Sequence, residues 1–466
     1  MKVLKPTYPF TGIVAADARL ERSSTGTYID GSGTLQTAAI NVARFNYNKA
    51  TLAYEGILFE PVRFNFLLNS TTLSSQSVSI DVNTVCVLSF YGSGTVSFQA
   101  KNLSGVVSTI SVVGVNSNTR VSRTFIISSS PTTYTVSGTV QNAQLETVPG
   151  AISGKEYLPT SWIPTTGAPA GRSADLISYS PGILSSSVTE TVSEWNVSTA
   201  YVAGNRVIRF GSIYEALVNN TGIGPVGAPT TWLRIGPSNV FACLDKQSST
   251  STVMSSVSTM QYALRIVSGS NRTSDFAGSI ALLGLTGSTT AMYPITVTGV
   301  IRNSYTNDFS TVTKTLDSSD STTVLLNDFT ITGDVISVRI VASASGTLSL
   351  STLAAGPFVD LGSTQYGASA GIIDYSKKET DEFGTTRFVE RAFSKRLNAQ
   401  VVVPNSQLNS VQKLLYSLRA TPAIWVGSDD STFDEALTVY GFYRDFSTDI
   451  AYPAHSICNL EIEGLT

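Results

Sequence analysis

The chain has 466 residues, a net charge of −3 and only 14% charged residues. So small a charge argues against nucleic-acid or anionic-membrane partners, and no apolar run approaches the ~20 residues that span a bilayer. Cys86, Cys243 and Cys458 are odd in number and far apart, which argues against a disulfide framework or a Cys-ligated zinc and leaves each as a small buried apolar residue.

Residues 1–22 read as an extended lead-in, because Pro6 and Pro9 oppose regular structure. MKVLKPTYPFTGIV lacks the uninterrupted apolar core of a signal peptide. Short alternating runs bounded by turn residues then fill 23–175, among them GTYIDGSGTLQTA, where Asp30-Gly31 marks a hairpin. Regular turn signals around such runs predict a β-sandwich. The whole chain is expected to be mostly β: tandem jelly-roll-like β-sandwiches, a small aromatic-rich β module and a C-terminal α+β domain.

Two peptides of the first sandwich are more distinctive than its pattern, GILFEPVRFNFLLNS (56–70) and NAQLETVPGAISGKEYLPTSWIPTTGAPAGRSAD (142–175). Both resemble a jelly-roll domain that recurs in tail fibres and spikes of tailed bacteriophages. Phe64 and Phe66 depart from the small polar residues usual in the first motif, and Trp162 stands where the second has an aromatic. The resemblance implies a lectin-like sandwich; it does not imply that this copy binds sugar.

Residues 176–194 are serine-rich and read as a linker. The segment 195–236 packs Trp195, Tyr201, Tyr214 and Trp232 around two strand-like runs, NRVIRF and SIYEALV. A unit of ~40 residues has little interior for four large rings, so some are expected to face solvent, where a ring can stack on a sugar. Trp232 is the foremost candidate, since Pro229 and two threonines place it on an expected loop. The competing reading, strongest for Trp195 and Tyr201, is that the rings are the module's own core. The order of Trp195, Tyr201, Gly204, Val207, Tyr214-Glu215-Ala216, Asn220, Gly222, Pro225, Trp232 and Gly236 resembles the small chitin-binding modules of bacterial chitinases. Carbohydrate binding is what that resemblance implies.

A second sandwich is expected over 237–373, from strand candidates such as YALRIV, YPITVTGV and VISVRIV. Its opening, PSNVFACLDKQSSTST, resembles another β-sandwich of phage tail proteins. Charges then crowd between Asp374 and Arg396. A helix is predicted at 405–419, with Asn405 as N-cap and Leu408, Val411, Leu414, Leu415 and Leu418 on one face. Strands PAIWVG, EALTVYGFYRDF and SICNLEIEGL follow, completing an α+β domain over 374–466. It is expected to be the attachment unit. Its interface would be formed by Trp425, Tyr440, Phe442, Tyr443 and Arg444, since aromatics and Arg are enriched in interface cores.

No catalytic constellation is legible. His455 is the sole histidine, and no nucleophile elbow, phosphate loop or zinc-protease helix is present. Asp429-Asp430 could hold calcium but reads first as a solvated turn. Neither cofactor nor metal is expected. The reading that follows is a bacteriophage virion protein of the tail, assembled in the host cytoplasm. Its partners would be other tail proteins and host-surface glycans, without nucleic acid or membrane insertion, and it could be a homo-oligomer. The alternatives are a polysaccharide-degrading enzyme fragment, which lacks an unassigned catalytic domain, and a bacterial surface adhesin, which lacks a visible anchor.

Overall fold

A computed structural model describes residues 1–4, 20–152, 154–177, 182–266, 276–304, 308–380, 382–428, 430–450 and 452–465. Strands dominate them, and the α-helices are Asn239–Ala242, Leu408–Ser417 and Asp434–Leu437. The chain divides into two units, Arg19–Ser178 and the remainder.

In Arg19–Ser178 the main sheet has seven strands. In order these are Gln141–Thr147, Val85–Tyr91, Val121–Ile127, Thr95–Lys101, Thr132–Ser137 and Gln76–Val78, with Val107–Val113 also paired to Thr95–Lys101. Alternate residues of these strands (Cys86, Leu88, Phe90, Phe98, Phe125, Tyr134, Leu145) point inward and form one core, as the period of two requires. Two-stranded ribbons complete the unit, among them Gly26–Ile29 with Leu35–Ala38. The expected Asp30 hairpin joins that pair, and the Asp30 carboxylate accepts the Ser32 and Thr34 amides at 2.9 Å.

The remainder contains the second sandwich, the aromatic module and the C-terminal sheet. One sandwich layer runs Gly182–Ser186, Thr252–Arg265, Val335–Leu350, Ile295–Arg302, Phe309–Leu316; the other is Val324–Leu326, Ser279–Leu283, Thr352–Gly356. Gly182–Ser186 lies within the expected linker yet is a strand of this sandwich, paired with Tyr262–Arg265. Serine content suggested a tether there, but a serine can occupy an edge strand whose outer face meets water.

The C-terminal sheet is larger than the expected 374–466. Its order is Phe358–Asp360, Lys2–Leu4, Ala423–Val426, Thr438–Asp449, His455–Gly464, Phe393–Pro404 and Ser363–Thr364, with Ser369–Asp374 also on Phe393–Pro404. Lys2–Leu4 is thus no lead-in: it is hydrogen-bonded on both sides, Leu4 opposite Phe358 and Ile424. Everything from 20 to 356 is inserted between the first strand of this sheet and the second. The rest of the expected lead-in, 5–19, lies outside the described residues.

Helix Leu408–Ser417 covers one face of the sheet, burying Val411, Leu415 and Leu418 against Leu397, Val401, Trp425 and Ile462. Asn405 does not cap it. Its amide donates to the Tyr452 and Pro453 carbonyls, while Gln407 holds the N-cap position without a side-chain bond. The opposite face changes character across the sheet. At one end Leu4, Ile424, Val426 and Tyr440 pack on Ala281, Leu325 and Ala354 of the second sandwich. At the other end the face is polar and open.

Candidate functional site

The two distinctive peptides of the first unit, 56–70 and 142–175, come together as a buried polar network. Glu60 pairs with Arg44 at 2.8 Å and Arg172 at 3.1 Å, and Asp175 pairs with Arg22 at 3.0 Å and Arg44 at 2.5 Å. Asp175 also accepts the Glu60 amide, and Glu60 accepts the amide and hydroxyl of Ser161. Burial would raise the Glu60 carboxyl, but Arg172, Arg44 and Ser161 hold it down at about 2. Asn65 donates to the Ala143 and Ile163 carbonyls and accepts from the Leu67 and Leu145 amides, so all its bonds close inside the fold. These charges face one another rather than a ligand, and the motif is architectural. Sequence reasoning missed Arg22 and Arg44, which lie far from either peptide.

The aromatic module is an insertion of the second sandwich. Its sheet is Arg206–Arg209, Ser212–Ala216, Trp232–Pro237, beside the pair Ala200–Tyr201 and Asn220–Thr221. Trp232 is not on a loop. It opens the last strand, is 2% exposed, and donates Nε1–H to the Ile223 carbonyl at 2.9 Å. Tyr201 is buried edge-on against it at 5.3 Å, and its hydroxyl accepts the Asn196 amide. Both are the module's core with Val207 and Ala216. A strand register that opposes Trp232 to Ala216 leaves room for the indole, which the loop reading had overlooked. Trp195 and Tyr214 are half-buried at its margin, and the Arg209 guanidinium lies 5.3 Å from the Trp195 ring centre. Of the four rings, these two can meet a sugar.

The expected attachment aromatics are mostly interior. Trp425 is fully buried and donates to the Gly441 carbonyl at 3.1 Å, with Tyr443 edge-on to it at 6.1 Å. Tyr440 belongs to the core shared with the second sandwich. The strand registers shift between Tyr443 and Asp445, so Arg444 is the extra residue of a bulge and the alternation restarts after it. Tyr443 and Phe446 therefore both face the helix side. Phe442 is half-buried, and Arg444 is exposed 3.8 Å from Glu463.

The most exposed aromatics of 374–466 lie in its charged segment instead. Lys377–Thr380 pairs with Thr386–Val389 as a two-stranded arm, and Phe383 and Phe388 are 92% and 74% exposed, with Phe393 and Ile372 exposed at its base. Of the acidic turn, Asp430 accepts the Thr432 amide, and Asp429 lies outside the described residues. No cluster of three or more metal-ligating side chains occurs among the described residues, and no helix there is long and apolar enough to cross a membrane.

No protein-family model matches the chain, and no curated protein matches it. Among solved structures, a fucolectin from striped bass (Morone saxatilis) serum aligns with 74% of this chain and 98% of its own, at 8% identity and a TM-score of 0.19. Allantoicase aligns with 74% of this chain and 92% of its own, at the same identity and TM-score. Similarity that slight describes neither this fold nor its chemistry.

Proposed function

We propose that the chain is a structural protein of a bacteriophage tail, joined to neighbouring virion proteins through its C-terminal sheet and adhering to host-surface glycans through its inserted β modules. The observation that carries this reading is the insertion itself. A sheet begun by Lys2–Leu4 and finished by Phe358–Gly464 holds two sandwiches and a small aromatic module within one interruption. That is the organisation of a carrier bearing passengers, since folded modules are tolerated where a chain leaves and re-enters a domain. Attachment falls to the arm with Phe383 and Phe388, whose strands have almost no buried residue of their own; a two-stranded hairpin is marginal in water unless it docks. Glycan contact falls to Trp195 and Tyr214.

The role is binding rather than catalysis. His455 is exposed at the start of the last strand, and the buried carboxylates Glu60 and Asp175 are neutralised by arginines. The buried free thiols of Cys86, Cys243 and Cys458 suit assembly in a reducing host cytoplasm. Mass spectrometry of purified particles, with antibody labelling in the electron microscope, tests the reading. The protein is expected on the tail; its absence from particles overturns the proposal.

A further inference from the structure

The open end of the C-terminal sheet carries six polar side chains on three neighbouring strands. Asn398, Glu461 and Asp445 lie side by side in one row, and Gln400, Asn459 and Ser447 in the next. Strands are about 4.8 Å apart and alternate residues about 7 Å apart, so the grid measures roughly 10 by 7 Å. It floors a depression of about 470 Å³ walled by Tyr366 and Gly367, a volume within the range of small-ligand sites. Tyr366 is fully exposed, on a loop tied to the sheet by the Gln365 amide and the Gln400 carbonyl at 2.8 Å.

The side chains differ in what they leave unused. Asn459 donates to Ser447 at 3.3 Å and Asp449 at 3.2 Å, and Asp445 accepts the Phe446 amide. The amides of Asn398 and Gln400 make no side-chain hydrogen bond to another described residue. Each offers two donors and an acceptor. Glu461 and Asp445 add strong acceptors for hydroxyl groups, and Arg444 stands at the edge, 4.0 Å from Glu461.

We propose that this grid is a saccharide-binding site, specific for neutral or amino sugars. A flat ring of alternating hydroxyls needs paired donors and acceptors at close spacing on one side and an aromatic face on the other. Amides, carboxylates and Tyr366 supply both. Two carboxylates against the single guanidinium at the edge leave the grid net negative, which disfavours uronic and sialic acids because a like charge brought beside it is repelled. The site is separate from Trp195 and Tyr214 and stands or falls independently of the aromatic module.

The test is retention of the labelled full chain on an array of neutral, amino and acidic oligosaccharides. Retention on neutral or amino sugars is expected, reduced about tenfold or more both by the double variant N398A/Q400A and by Y366A, the scale of losing one or two hydrogen bonds or a stacked ring. W195A removes the glycan contact proposed for the other module, so the grid variants are compared in that background as well, where retention by the grid is expected to persist. The three altered residues sit on the surface, so a melting curve matching the parent separates lost binding from lost folding. No retention by the parent, retention confined to acidic sugars, retention indifferent to both grid variants, or retention abolished by W195A alone overturns the proposal.

Discussion

Glu60 shows what a single side chain contributes to the first unit. Its folded carboxyl titrates at about 2, well under its ordinary value of 4.5. A depressed carboxyl stabilises the fold above its unfolded value and ceases to do so as protons are taken up. The contribution, about 3 kcal/mol at neutral pH, is therefore present above about pH 4.5 and fades between there and pH 2. Unfolding of Arg19–Ser178 is expected to show that acid limb in urea titrations, and Glu60→Gln to remove it. The same substitution leaves Arg44 and Arg172 under-compensated, and a loss of about 3–5 kcal/mol at pH 7 is expected. In the aromatic module the two tryptophans separate cleanly. W232A is expected to cost about 3–5 kcal/mol of module stability by emptying its core, whereas W195A should leave the melting curve in place and weaken glycan binding by about tenfold or less. Equal melting of the two variants would show that the marginal and core roles are wrongly divided.

At the scale of elements, the strands and the one long helix were legible because each carries its own period. The apolar residues of 408–418 recur at helical spacing, and Leu408–Ser417 is a helix with Val411 and Leu415 inward. What local pattern could not show was pairing between distant segments. Strict alternation would carry Phe446 onto the face of Tyr440 and Phe442; the bulge at Arg444 turns it to the helix side instead, and no residue near it announces the change. Lys2–Leu4 is too short to signal its place between two strands over 350 residues away. The candidate site suffered for the same reason: aromatic content pointed to Trp232 and Trp425, yet their neighbours across the sheet decide that both are core. The arm Lys377–Val389 is the element for which a sharp expectation remains. Replacing it by a two-residue turn should leave helix and sheet signals unchanged in circular dichroism and abolish incorporation into particles. Normal incorporation of the shortened chain would exclude the arm as the joining surface.

For the whole molecule, the C-terminal sheet cannot be separated from the first residues. Val3 lies in the core under the helix and Leu4 in the core against the second sandwich, so one three-residue strand serves two layers. Deleting Met1–Leu4 is expected to open both cores. Limited proteolysis should then degrade the C-terminal sheet while the unit Arg19–Ser178 survives as a resistant fragment; equal resistance of both would contradict this. The strand Lys2–Leu4 also imposes a schedule on synthesis. Its partner at Ala423–Val426 emerges about 420 residues later, a wait of roughly 20–80 s at ribosomal rates of about 5–20 residues per second. The first sandwich is complete long before then, while the opening strand is held unpaired. Closure of the sheet consequently follows synthesis of every inserted module, and a ribosome that stops within them releases modules without a finished sheet. On the proposed role, the topology acts as a proofreading step: chains that stop before Ala423–Val426 lack strands of the sheet by which they would be recruited.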